Sequence, residues 1–141
     1  MTAGVEAVDL IAWAGALLLA DSAWVTATPG GAHMGIAPQG TLAPVATLWV
    51  QSAPELLTFN GNRIWTDATL MVKHSGPQDQ FAATRTAAAR ARALLHRASG
   101  ASQGASIISC IITAQFPLPE PQLVNGVQWI TYVQMYQVLV N

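Results

Sequence analysis

The chain has 141 residues, which suits one domain of ordinary size. It is 52% hydrophobic and only 9% charged, against roughly 25% charged in an ordinary soluble domain, and this excludes a disordered chain. Six basic and seven acidic residues leave a net charge of -1, which argues against a chain-wide coat of nucleic acid; the single Cys110 excludes an internal disulfide and a four-cysteine zinc site.

A domain of this size still exposes about 30% of the surface of its unfolded chain, and that surface ordinarily carries the charges. So few charges imply that part of it is covered, by a membrane or by other subunits. The longest charge-free apolar run, residues 10–20, is bounded by Asp9 and Asp21 and is shorter than the ~20 residues of a spanning helix. A signal peptide would begin with Lys or Arg, whereas this N-terminus offers Glu6 and Asp9. No Asn-x-Ser/Thr acceptor occurs, which fits an intracellular origin. No membrane partner is expected, and subunit burial is the preferred cover.

The first helix is predicted from about residue 2 or 4 to residue 21. Val8, Ile11, Ala12, Gly15 and Leu19 share one side, while Leu10, Trp13, Leu17 and Leu18 widen the apolar arc, so burial on most sides is expected. Gly15 costs about 1 kcal/mol against Ala in a helix, and a close backbone neighbour would explain it. Pro29-Gly30-Gly31 marks a turn, and a short strand over 33–36 follows. After a loop through Pro44, residues 45–52 read as a strand covered on both faces. Asn60-Gly61 signals a tight turn. Residues 63–74 alternate: Ile64, Ala68, Leu70 and Val72 on one face; Arg63, Trp65, Asp67, Thr69, Met71 and Lys73 on the other.

A second helix is predicted over 78–99, with Phe81, Thr84, Ala87, Ala88, Ala91, Leu94 and Leu95 on one arc. Arg85 and Arg92 flank the arc on one side, Arg90 and Arg97 on the other, and Gly100 is placed as the C-terminal stop. A strand over 105–116 puts Ile108, Cys110, Ile112, Ala114 and Phe116 on one face. The proline-rich 117–121 reads as a loop that cannot join a central strand. Residues 127–140 close the chain as a strand whose Gln128, Gln134 and Gln137 break the alternation and suggest a bulge or a change of register. The whole reads as a single α+β domain, 1–141: a mostly antiparallel β-sheet with two α-helices packed on one face.

The chemistry-bearing patterns are weak. Residues 100–104 spell G-x-S-x-G, but the nucleophile elbow needs a strand-to-helix turn followed by an acid and a His, and no His or Asp follows Ser102. His33, His74 and His96 are far apart and lack metal-ligand spacing. Cys110 falls mid-strand on an apolar face, where a thiol is inert. No phosphate-binding glycine motif occurs. The reading is no enzyme, with no catalytic, metal or cofactor site. The four arginines of the second helix form the only charge concentration, without the aromatics that nucleic-acid recognition adds.

The order of segments resembles the tail terminator (tail completion) family of long-tailed bacteriophages and related tail-like particles. The resemblance rests on an N-terminal helix of the form Val8-Asp9-Leu10-Ile11-Ala12-Trp13, the loop Ile36-Ala37-Pro38-Gln39-Gly40 leading through Pro44 into a strand, and a long strand over 63–73 before an Ala-rich helix. Two closing strands follow, the last holding Gly126-Val127-Gln128-Trp129 and Tyr136-Gln137-Val138. It spans nearly the whole chain but is a pattern, not a signature motif. It implies a non-enzymatic virion protein of the tail or neck, assembled in the host cytoplasm. The protein would form a homo-oligomeric ring, expected as a hexamer, on the head-proximal end of the tail tube. Its partners would be the tail tube protein and the head–tail connector or stopper protein, with genomic DNA passing through the lumen. No interface residue carries over by motif. On physical grounds the expected interface residues are Trp65, Asp67 and Met71 on the strand and Arg85, Arg90, Arg92 and Arg97 on the helix. The rival readings are a connector adaptor or stopper, a tail tube protein, or, from another class, a small oligomeric α+β enzyme or ligand-binding domain.

Overall fold

A computed structural model describes residues 7–52, 55–57, 63–102, 105–120 and 123–141. In chain order the elements are α1 (Ala7–Leu19), α2 (Ser22–Ala27), β1 (Ala32–Met34), β2 (Val45–Ser52), β3 (Glu55–Leu57), β4 (Arg63–Pro77), a 3-10 turn (Gln78–Gln80), α3 (Phe81–Leu95), β5 (Gly100–Ser102), β6 (Ala105–Pro119) and β7 (Trp129–Val140). The strands form one sheet in the order β1-β2-β4-β7-β6-β5, with β3 beside β4 off this path. All pairings are antiparallel except that of β1 with β2. The expected α+β class, a mostly antiparallel sheet with helices on one face, is the observed one.

Even-numbered residues of β2, β4 and β7 point to the helices. Ala46, Leu48, Val50, Ala68, Leu70, Val72, Tyr136, Val138 and Val140 join Leu10, Ile11, Trp13, Ala14, Leu18, Trp24, Ala91 and Leu95 in one buried cluster. Burying a large aliphatic side chain contributes about 1.5–3 kcal/mol, so this cluster is the main stabilising element of the fold. The arc on α3 is as predicted: Thr84, Ala87, Ala88, Ala91 and Leu95 are buried.

Several expectations are corrected. The first helix ends at Leu19, and a second short helix follows that the sequence reading missed. Asp21 divides them, because its carboxylate accepts the Trp24 N–H at 2.8 Å and caps α2, turning Trp24 into the core. The buried face of α1 is Leu10, Ile11, Trp13, Ala14 and Leu18, whereas Ala12, Ala16 and Leu19 are exposed, so α1 is not buried on most sides. A Cβ at Gly15 would meet nothing within 4 Å, so no close backbone neighbour explains that glycine.

Gly100 does not stop α3. The helix ends at Leu95, and Arg97 takes the left-handed conformation (φ 68°), held by its N–H to the Cys110 carbonyl at 2.6 Å. Gly100 lies in β5, where a Cβ would come within 3.1 Å of Trp13 Nε1.

The β6 face is also different. Its pairing with β7 shifts between Ile107 and Ser109 and again between Ile112 and Ala114, so Ile108 and Thr113 are bulged. Cys110 is buried in the core and Ile112 is packed against it, but Ile108 is turned outward and Ala114 and Phe116 move to the opposite face. β6 continues through Pro117 and Pro119, which the sequence reading placed in a loop; beyond Ile107 it has no outer neighbour among the described residues, and edge strands tolerate proline.

β7 begins at Trp129 and pairs with β4 without a register shift, so the expected irregularity lies in β6 instead. Gln134 faces the core and is satisfied there: its amide donates to the Ala88 carbonyl at 2.9 Å and its oxygen accepts the Tyr136 hydroxyl. Between these strands Val124 and Val127 close a tight hairpin over Asn125 (φ 51°) and Gly126 (φ 78°). The predicted turn at Asn60-Gly61 lies outside the described residues.

Candidate assembly surface

The odd-numbered residues of β2, β4 and β7 form the sheet face opposite the helices. Strand pairing lines them up in rows with β6. One row is Trp49, Met71, Met135 and Ala114; the next is Thr47, Lys73, Val133 and Phe116. Asp67, Leu139 and Ser109 make a further row, and Gln137 donates its amide to both oxygens of Asp67 at 2.9 Å. Trp49 is 54% exposed, and Ile111, Phe116 and Leu118 of β6, across two intervening strands of the sheet, are exposed as well. β2 was expected to be covered on both faces; among the described residues its second face is covered at Val45 and exposed at Trp49.

This face carries the strand residues expected at an interface. Met71 is half-buried beside Trp49, and Asp67 is half-buried and hydrogen-bonded to Gln137. Trp65 pairs with Leu56 in the sheet, but its side chain lies outside the described residues. The sequence reading missed Trp49, Met135, Phe116 and Leu118. The aromatic character of Trp49 was a visible signal, whereas the β6 residues were hidden by the bulges.

At one end of the face, the loop over 37–41 and the hairpin at Leu123, Val124 and Asn125 enclose a cleft of about 760 Å³ with Val45 and Trp129. It adjoins a second hollow that reaches Thr47, Lys73, Ser75 and Glu120. There Ser75 donates to Thr131 at 2.8 Å, and Thr131 donates to Glu120. This chain of hydroxyls ends on the Glu120 carboxylate and ties the strand ends together.

The four arginines lie on the helix side and divide by role. Arg90 binds Asp21 in a bidentate pair, Nε to Oδ1 at 3.0 Å and Nη2 to Oδ2 at 2.6 Å. The Arg90 guanidinium and the Trp24 N–H lower the Asp21 pKa to about 2. Arg90 is therefore engaged within the chain, tying α3 to the start of α2. Arg97 is exposed at the helix end. Arg85 and Arg92 border a small hollow with Ala89, Gln115, Tyr132 and Gln134. The seven expected residues thus do not form one patch: Asp67 and Met71 share one side of the sheet, and the arginines occupy the other.

The remaining chemical candidates have structural partners. His33 Nε2 contacts the Gly30 carbonyl at 2.8 Å, His96 Nδ1 accepts the Ile112 N–H at 3.1 Å, and His74 Nε2 accepts the Trp24 indole N–H at 3.1 Å. Burial pushes the Cys110 thiol up to about 12, which leaves it un-ionised. Of the G-x-S-x-G segment, Gly100–Ser102 form β5, which pairs antiparallel with β6, and the last two residues lie outside the described residues. Among the described residues no group of three His, Cys, Asp or Glu could hold a metal ion, and no helix is long and apolar enough to cross a membrane.

No family model matches this chain, and no curated protein matches it. Among solved structures the chain is similar to one in the virion of a native gene transfer agent (GTA) particle, with a TM-score of 0.64 and 16% sequence identity. The similarity covers 94% of this chain and 96% of that one. The two chains therefore share a fold along their whole length.

Proposed function

We propose that the chain is a structural subunit of a phage-like virion and, within it, a tail terminator. It would close into a ring on the head-proximal end of the tail tube, stop tube growth and present the surface that the connector or stopper protein joins. The observation that carries this reading is the end-to-end fold likeness to a chain of the GTA virion. The apolar sheet face and the open β6 edge support it, because a closed ring needs a heterologous interface and such an interface covers this kind of surface. A near-neutral chain suits a ring through which DNA passes without being held, since phosphate contacts come from Lys and Arg. The strand-rich second half fits this role better than that of a helical adaptor. The protein is not an enzyme on this reading, and the hydroxyl chain from Ser75 through Thr131 to Glu120 serves to tie the strand ends together.

Negative-stain imaging of the purified protein, alone and mixed with tail tubes from the same source, tests the proposal. Rings with a central hole, or caps at one tube end, are expected. Compact dimers that ignore the tubes would overturn it.

A further inference from the structure

We propose that the hollow between α3 and the β6–β7 pair is a carboxylate receptor, in which Arg85 and Arg92 hold an acidic side chain presented by a neighbouring protein. Arg85, Ala89 and Arg92 stand on one stripe of α3 at positions i, i+4 and i+7, which separates the two arginines by about 10 Å along the axis. Ala89 between them has no side chain beyond Cβ, so both guanidinium arms can close over it. Gln115 from β6 and Tyr132 and Gln134 from β7 make the facing wall of a cavity of about 210 Å³. Gln134 is already committed to Ala88 and Tyr136.

Among the described residues no carboxylate lines the hollow. Among the described residues, the two guanidinium groups, the Gln115 amide and the Tyr132 hydroxyl have no hydrogen-bond or ion-pair partner. On the opposite flank of the same helix, Arg90 meets Asp21 in the forked geometry that suits a carboxylate. The hollow repeats the cationic half of that arrangement and leaves the anionic half to a partner.

The partner is a protein and not a nucleic acid. Nucleic-acid grooves add free aromatic faces to their basic side chains, whereas the one aromatic ring of this hollow, Tyr132, is packed against Phe81. The exposed stripe beside them, Ala82, Thr86, Ala89 and Ala93, is made of short side chains over which another backbone can approach closely. The receptor stands on this geometry; only the identity of the neighbour as a particle subunit rests on the proposed function.

The test is an NMR titration of the isotope-labelled full chain with a capped pentapeptide bearing one central glutamate. Saturable shifts at the Gln115 side-chain amide and along α3 are expected in the millimolar range. Arg85→Gln and Arg92→Gln should each weaken binding roughly tenfold. Arg92→Lys, which keeps the charge and loses the fork, should fall between, and Arg97→Gln should leave binding unchanged. Equal binding of the glutamine twin peptide, or unchanged binding in the two Gln variants, would overturn the proposal. Tighter binding of a short oligothymidylate would overturn it in favour of nucleic acid. The titration requires no ring, so its failure leaves the particle reading intact, and absent rings with intact peptide binding would do the reverse.

Discussion

Below neutral pH, His74 is the buried group that titrates first. It is fully buried, and because its Nε2 accepts the Trp24 indole N–H, its proton sits on Nδ1, which has no hydrogen-bond partner among the described residues. Burial lowers its pKa from 6.5 to about 4. The unfolded chain takes up a proton below about 6.5 and the folded chain does not until about 4. Stability is therefore full above this window and declines as pH falls through it, by roughly 3 kcal/mol in total. Denaturant midpoints measured across this range should show the slope, and His74→Gln should remove it. Asp21 acts in a lower window: its lowered pKa makes its contribution present above about 3.9 and lost as pH falls toward 2. Two glycines have opposite expectations. Gly15→Ala meets open space inside α1 and should raise stability by up to about 1 kcal/mol. Gly30→Ala would place its Cβ 2.1 Å from the Leu42 carbonyl oxygen and should cost about 1–3 kcal/mol, read as a lower melting temperature.

At the scale of elements, β6 shows most clearly where sequence reading stops. Period 3.6 located the buried arc of α3, because the helix supplies its own register; period 2 located the two faces of β4 for the same reason. In β6 the phase is reset by bulges at Ile108 and Thr113, and the reset appears only against the partner β7. The prolines of β6 follow from its position. Glu120 donates its N–H to the Trp129 carbonyl, so alternate residues Pro117 and Pro119 turn their nitrogens to the open edge. Missing donors there discourage edge-to-edge pairing. A Pro117→Thr, Pro119→Thr double variant should keep its far-UV circular dichroism and sediment as larger, heterogeneous species. A sedimentation profile like that of the parent would show that the prolines do not protect the edge.

At the scale of the whole molecule, two neighbouring residues of β4 separate stability from assembly. Leu70 is fully buried on the helix face, and Leu70→Ala should cost about 2–5 kcal/mol. Met71 is half-buried on the opposite face, beside the exposed Trp49. Met71→Glu should melt close to the parent and lose ring formation or tube capping in negative stain. Retained rings would remove this face from the assembly surface, and a large fall in melting temperature would show that Met71 serves the monomer.

The fold class, the long β4 strand, the buried arc of α3 and the shortage of charge that points to covered surface were all legible in the residues. These are local periodicities and composition, which each segment carries without reference to its neighbours. The folded chain was needed to show that Asp21 belongs to Arg90, that α1 turns Leu10 and Leu18 and not Leu19 to the core, and that Asp67 and Met71 lie on the side of the sheet away from the arginines. It also brought Gln115 and Tyr132 to Arg85 and Arg92. Each of these depends on which strand lies beside which and on where a bulge resets the register, and both are properties of pairs of segments distant in the chain.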